Sequence, residues 1–367
     1  MRPFTLRENG LPQSIVADFS TGFGITLNQW IFVHLLISFG ALWSVTFYEN
    51  LRNNMNRKEF LKAITLAGAT AAAGTWNGVN VYAQTNEAKN DECELAMVMG
   101  GEPDVMFQKA IAAFGGMSQF VKSGQKVVIK PNIGWNRRPE VAANTHPELV
   151  GEMVKQCMEA GAREVVVFDR TVDPWQDAYK VSGIEDAVKK AGGVLVPSGD
   201  EADYREVDLP HGVILKKTKI HKALLDCDVW FNVPVLKTHG GTKLTIALKN
   251  YMGVVWDRGI FHGAGLQQCI ADSATFEKKP VLNVIDAYRA MKANGPGSRS
   301  EADAVLLKGL IVSPDIVAAD TAAMNLFNSI PDVEKMDLDK VEHIKMAEKH
   351  GLGKTDITEL NTVRIRS

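Results

Sequence analysis

From residue 95 onward, short apolar runs alternate with amphipathic stretches. The runs at residues 95–99, 126–130, 164–169, 194–196, 229–235, 281–285, 307–313 and 357–365 have the length and β-branched content of strands. Between them, residues 103–114, 145–160, 184–191, 266–275, 314–327 and 333–350 repeat their apolar positions at helical spacing. The second of these helices opens on Thr145 with Glu148 three residues later, the pattern of a capping box. Residues 204–209 and 213–217 read as a pair of outer strands joined at His211-Gly212. Strand-helix alternation of this kind predicts an α/β fold: a mainly parallel sheet with helices on both faces and some antiparallel edge strands. One such domain is expected over residues 94–366.

The stretch at residues 229–253 concentrates the candidate chemistry. It begins as a buried strand, passes through Lys237, Thr238, His239, Gly240, Gly241 and Thr242, and continues into a segment at residues 244–252 that reads as helical. Strand, glycine-containing loop, helix is the arrangement that places ligands at the carboxyl end of a strand in α/β folds. Three lysines, a histidine and an asparagine fall within residues 237–250, a density that solvated surface loops seldom need. Lys130, Asn132 and Asp169 sit at other predicted strand ends, and the glycine-flanked loop at residues 256–263 carries His262. Lys130, Asn132, Thr238, Gly240, Gly241, Lys249 and Asn250 are thus expected to bind a small carboxylate or phosphate. Lys237, His239 and His262 are the expected catalytic groups. His239 and His262, with Asp286 and Asp320, are also the side chains from which a divalent metal shell would be drawn. The competing reading of Asp286 and Asp320 is a helix cap or structural acceptor. His146 and His211 read as cap and turn residues, and His221, His343 and His350 as solvated ones.

Composition narrows the classes. The chain has 367 residues, 46% of them hydrophobic and 23% charged, as in ordinary globular proteins. A net charge of −2 and the lack of a basic-aromatic face argue against nucleic acid as a partner. The four cysteines, Cys93, Cys157, Cys227 and Cys269, have neither zinc nor iron–sulfur spacing, so no iron–sulfur cluster is expected, and the identity of any redox partner is left open. Ser-His-Asp, phosphate-loop and dinucleotide-binding patterns are all missing. Two classes stand: an enzyme using acid/base or metal-assisted chemistry on a small anion, and a non-catalytic ligand- or cofactor-binding protein with the same pocket.

Residues 1–84 are expected to lie outside the fold. Arg57-Lys58-Glu59-Phe60-Leu61-Lys62, an uncharged run of small residues and Val81-Tyr82-Ala83 have the layout of an export signal at residues 55–83. The segment resembles a twin-arginine signal, with Lys58 in place of the second arginine, and implies the export machinery as a partner and a periplasmic address. Since such signals open a chain, residues 1–54 are read as an upstream extension foreign to the native product. The alternative is a membrane anchor at residues 30–48.

Taken in order, Lys130-Pro131-Asn132, Asn232-Val233-Pro234 with Lys237-Thr238-His239, Leu248-Lys249-Asn250 with Gly253, His262, Ile285-Asp286, Asn294-Gly295-Pro296 and Ala319-Asp320 resemble the domain of unknown function 362. The resemblance implies an α/β fold and no settled chemistry. Some members of that family append a ferredoxin-like cysteine cluster, which this sequence lacks. The lysine-histidine-glycine loop is also similar to a loop of nickel-pincer lactate racemases.

Overall fold

The computed structural model describes residues 92–367, which belong to one compact unit. The export-signal segment and the alternative anchor lie outside the described residues. In chain order the main elements are β1 (Leu95–Met99), α1 (Pro103–Ala113), β2 (Lys126–Pro131), α2 (Pro147–Glu159), β3 (Glu164–Val167), α3 (Trp175–Val181), α4 (Ile184–Lys190) and β4 (Val194–Leu195). The outer pair β5 (Tyr204–Asp208) and β6 (Lys217–His221) follows, then α5 (Lys222–Leu225), β7 (Val229–Val233), β8 (Val235–His239), β9 (Lys243–Thr245), α6 (Ala247–Asn250), α7 (Gly259–Ala264) and α8 (Leu266–Ser273). The chain closes with β10 (Leu282–Met291), β11 (Ala304–Ser313), α9 (Ile316–Phe327), α10 (Glu342–Lys349) and β12 (Thr362–Arg366).

Ten strands form one mixed sheet in the order β12-β1-β11-β10-β7-β2-β3-β4, with β8 attached to β10 and β9 to β8; β5 and β6 form a separate antiparallel pair. Most neighbours in the large sheet are parallel, while β1–β11, β10–β11 and β8–β9 are antiparallel. The expected α/β class is the observed one.

The alternation of side chains decides what the central strands present to each face. Val127, Ile129, Val229, Phe231 and Val233 face one core with Phe107 and Met153. Val128, Val166 and Trp230 face the other, with Tyr251, Phe261 and Phe327. Four positions on this second face are polar. Lys130 on β2 stands opposite Asn232 on β7, and Asn232 opposite Asn283 on β10, which in turn pairs with Ser313 on β11. A buried polar row therefore crosses four strands, near the carboxyl ends of β2, β7 and β11 and at the start of β10, and its hydrogen bonds fix the site.

Several expected elements are placed differently, each for a local reason. Pro234 interrupts the run at residues 229–235, splitting it into β7 against β2 and β8 against β10. The segment at residues 244–252 is not one helix. Residues 243–245 return as β9 against β8, and only Ala247–Asn250 is α-helical, followed by a 3₁₀ turn at Tyr251–Val254. The outer hairpin resumes at Lys217 rather than at 213, because the N–H groups of Ile214 and Leu215 donate to Asp272 Oδ2 and are lost to the ladder. Pro147 at the first position of α2 makes His146 the N-cap residue. Thr145, freed from capping, donates to the Val233 carbonyl at 2.7 Å and accepts from Asn132 N–H at 2.9 Å.

Candidate active site

Every parallel strand of an open sheet delivers its carboxyl end to one edge, and there β2, β3 and β8 bring together the residues after Lys130, Val167 and Val235. A cavity of about 390 Å³ opens at this edge. Its charged and polar lining comes from Asn132, Asp169, Arg170, Lys237, His239, Thr245, Lys249, Asn250, Arg258 and His262.

Asn250 organises the floor. From the short helix α6 its Oδ1 accepts from Lys130 Nζ at 2.5 Å and from Asn132 Nδ2 at 3.3 Å. Its Nδ2 donates to Asn232 Oδ1 at 2.8 Å and to the Lys130 carbonyl at 3.2 Å. Asn232 Nδ2 passes the pattern on to Asn283 Oδ1 at 3.0 Å, and Asn283 Nδ2 reaches the Ser313 carbonyl at 3.3 Å. On the other side Lys237 Nζ donates to Asn132 Oδ1 at 2.8 Å and to the Ala143 carbonyl at 2.5 Å. Each amide is oriented by two or more partners, so Asn132 and Asn250 are rigid fixtures.

Lys130 lies beneath the lining rather than in it. It is fully buried and sits 2.8 Å from Asp169 Oδ1, while Asp169 Oδ2 accepts from Ile133 N–H at 2.6 Å. Burial lowers its ammonium below the ordinary lysine range despite the Asp169 charge that opposes the shift. Gly253 covers this pair so closely that a Cβ there would fall 1.9 Å from Asp169 Oδ1.

The lining cations lack such partners. Arg170 and Arg258 form no ion pair among the described residues; two of the five N–H groups of Arg258 donate to the Arg170 and Thr171 carbonyls at 2.9 and 2.7 Å. Arg170 lies over the Trp256 ring at 4.3 Å, and its Nε has no hydrogen-bond partner. Burial, reinforced by the charge of Lys249, holds Lys237 well below its usual range. Lys249 is pulled down to about 8, chiefly by burial and then by the charges of Arg258 and Lys130. Among the described residues its ammonium donates only to the Met252 thioether, at 3.3 Å, a weak acceptor.

His239 ends β8, and its Nδ1 accepts from the Gly241 and Thr242 N–H groups at 3.0 and 3.3 Å. In the neutral ring the hydrogen must then reside on Nε2, so His239 offers a donor to its surroundings. Burial and the charges of Lys249 and Lys237 keep it neutral down to about pH 3. His262 stands exposed on α7 at the cavity wall.

The structure thus gathers Lys237, His239, His262, Asn132, Lys249 and Asn250 around one cavity, with Lys130 one layer below. It does not bring in the rest of the expected set. Thr238 accepts from Gly295 N–H, Gly240 lies exposed outside the lining, and Gly241 directs its N–H at His239 rather than at a ligand. The metal shell does not assemble either. Asp286 accepts from the His146 and Tyr288 N–H groups, and Asp320 from those of Ala247 and Leu248, away from the cavity. Among the described residues no three His, Cys, Asp or Glu side chains are grouped to hold a metal ion. The histidines read as solvated are also placed otherwise. His221 stacks on Phe168, His343 is fully buried, and His350 pairs with Asp272 at 2.9 Å.

Asp169, Arg170 and Arg258 went unranked in the sequence, although Asp169 was visible at a strand end. The two arginines carry no local signal, because their role depends on a loop returning over the sheet edge.

Against known proteins, the chain is 26% identical over 255 residues to a thylakoid-associated protein of Synechocystis sp., spanning 66% of this chain and 73% of that protein. Two solved structures align at lower similarity. One is a lactate racemase apoprotein from Thermoanaerobacterium thermosaccharolyticum, with 14% identity and a TM-score of 0.41 over 66% of this chain. The other is a protein from Thermotoga maritima, with 11% identity and a TM-score of 0.38 over 68% of this chain. The chain spans 58% and 60% of their respective lengths. Residues 127–325 match the family described as Domain of unknown function (DUF362), and the stretch includes every residue lining the cavity. The chain belongs to that family.

Proposed function

We propose that this protein is an exported enzyme that binds a small carboxylate or phosphate at the sheet edge and carries out acid/base chemistry on it. The observation that carries the reading is an imbalance of charge. Arg170, Lys237, Lys249 and Arg258 line one cavity with a single carboxylate, Asp169, which already accompanies Lys130. Desolvated cations without counter-charges are costly unless a ligand supplies them. His239 offers an Nε2 hydrogen to an oxygen of the bound anion, and His262, open to solvent, exchanges protons with it. Export rests on the signal-like segment at residues 55–83, and the thylakoid association of the Synechocystis relative supports a membrane-facing address.

A thermal-shift panel of small carboxylates and inorganic phosphate tests the binding step. At least one anion should raise the melting temperature, and Lys249→Met should weaken that anion's binding roughly tenfold, the worth of one charge-assisted contact. If no anion in the panel moves the melting temperature, the reading fails. A binding protein would keep its affinity in His239→Gln and His262→Gln and show no turnover to lose.

A further inference from the structure

The cavity holds one group that anion binding alone does not explain. Lys130 faces Asp169 and Asn250, and Lys237 gives its hydrogens to Asn132 and Ala143. Both nitrogens are engaged as donors to oxygen. Lys249 differs: it lines the cavity and, among the described residues, its amine meets no carboxylate or carbonyl oxygen but the Met252 sulfur. An amine so placed loses little by giving up its proton, and its lone pair is then free for a bound molecule. Neighbouring cations and burial are the two devices by which proteins turn lysine into a nucleophile, and both act here, bringing Lys249 to about 8.

We propose that Lys249 is an imine-forming nucleophile and that the anion taken at this site also carries a carbonyl group, a 2-oxo acid being the simplest case. The proposal rests on the anion-binding reading. Arg170 and Arg258, whose guanidinium groups line the cavity, hold the carboxylate, which leaves the adjacent carbonyl carbon to Lys249. The Nζ lone pair forms the new carbon–nitrogen bond, and the carbon–oxygen π electrons move to oxygen. Both amine hydrogens then leave with that oxygen as one water, giving a neutral imine without oxidant or reductant. His239, with its hydrogen on Nε2, is a donor toward the oxygen while it carries charge.

The test is reductive trapping on the full chain. Protein is incubated with pyruvate, 2-oxobutyrate or 2-oxoglutarate, reduced with sodium borohydride, digested and mapped by mass spectrometry. At pH 7.5 the Lys249 peptide should carry at least about ten times more adduct than any exposed lysine, since its amine is free of its proton at lower pH. Yield at Lys249 should reach half its plateau near pH 8 and level off about one unit higher, whereas yield at exposed lysines keeps rising. Lys249→Arg, which keeps the charge, should abolish the adduct. If the oxo acids raise the melting temperature but Lys249 is labelled no faster than exposed lysines, or follows their pH profile, the proposal is overturned and anion binding stands. If neither these acids nor plain carboxylates and phosphate shift the melting temperature, and no adduct forms, both readings fall.

Discussion

Gly253 shows how much of the site hangs on an absent side chain. Any Cβ at this position would collide with Asp169 Oδ1 and with Lys130 Nζ, the latter at 2.4 Å. Both groups are buried. Gly253→Ala should therefore part the ion pair, and parting a buried pair costs roughly 3 kcal/mol; a chemical-denaturation midpoint unchanged from wild type would refute this. The sequence made Gly253 visible as part of Leu248-Lys249-Asn250-x-x-Gly253, but its reason lies in Lys130 and Asp169, more than eighty residues earlier. Lys237, Lys249, Asn132 and Asn250 were legible because residue type and strand-end position agree. Gly240 and Gly241 misled for the converse reason. Two glycines beside lysines suit an anion cradle, yet here they turn a hairpin whose N–H groups fix a histidine ring.

At the level of elements, strands and long helices were readable from periodicity, whereas α6 was not. Its four residues are too few to hold a helix by their own hydrogen bonds. Asp320, from the middle of α9, supplies what is missing by accepting from the Ala247 and Leu248 N–H groups at 2.7 and 3.0 Å. No local pattern can announce a cap that arrives from seventy residues away. Burial raises this carboxyl to about 7. A raised carboxyl adds stability at pH values below the unfolded value near 3.8, and that contribution is lost as pH climbs through 7. Asp320→Asn, which cannot ionise, should gain on the wild type between pH 4 and 8, by at most about 4 kcal/mol for a shift of this size. Parallel urea titrations of the two proteins should diverge over that interval; a constant difference would mean that Asp320 does not change its charge there.

The whole molecule places its chemistry at one edge of a mixed sheet, and the strand-helix alternation foretold that edge without foretelling its depth. N-terminal sequencing of the product from its native host should find a chain starting near Gln84, whereas a chain that keeps Met1 would favour the anchor at residues 30–48. The polar row through the sheet carries a consequence for how the molecule ages. From Ser313 to Lys237 the amides of Asn283, Asn232, Asn250 and Asn132 all point their nitrogens one way and their oxygens the other. Loss of ammonia from Asn232 would exchange one nitrogen for oxygen and leave size and shape almost unchanged. It would also set two acceptors face to face at Asn283 Oδ1 and again at the Ala247 carbonyl, where Asn232 Nδ2 now donates at 3.0 Å. Asn232→Asp, the engineered equivalent, should cost about 2–3 kcal/mol in a denaturation experiment and loosen Asn250 under both lysines. For this protein, deamidation at the core of the sheet would do more harm than far larger changes at its surface.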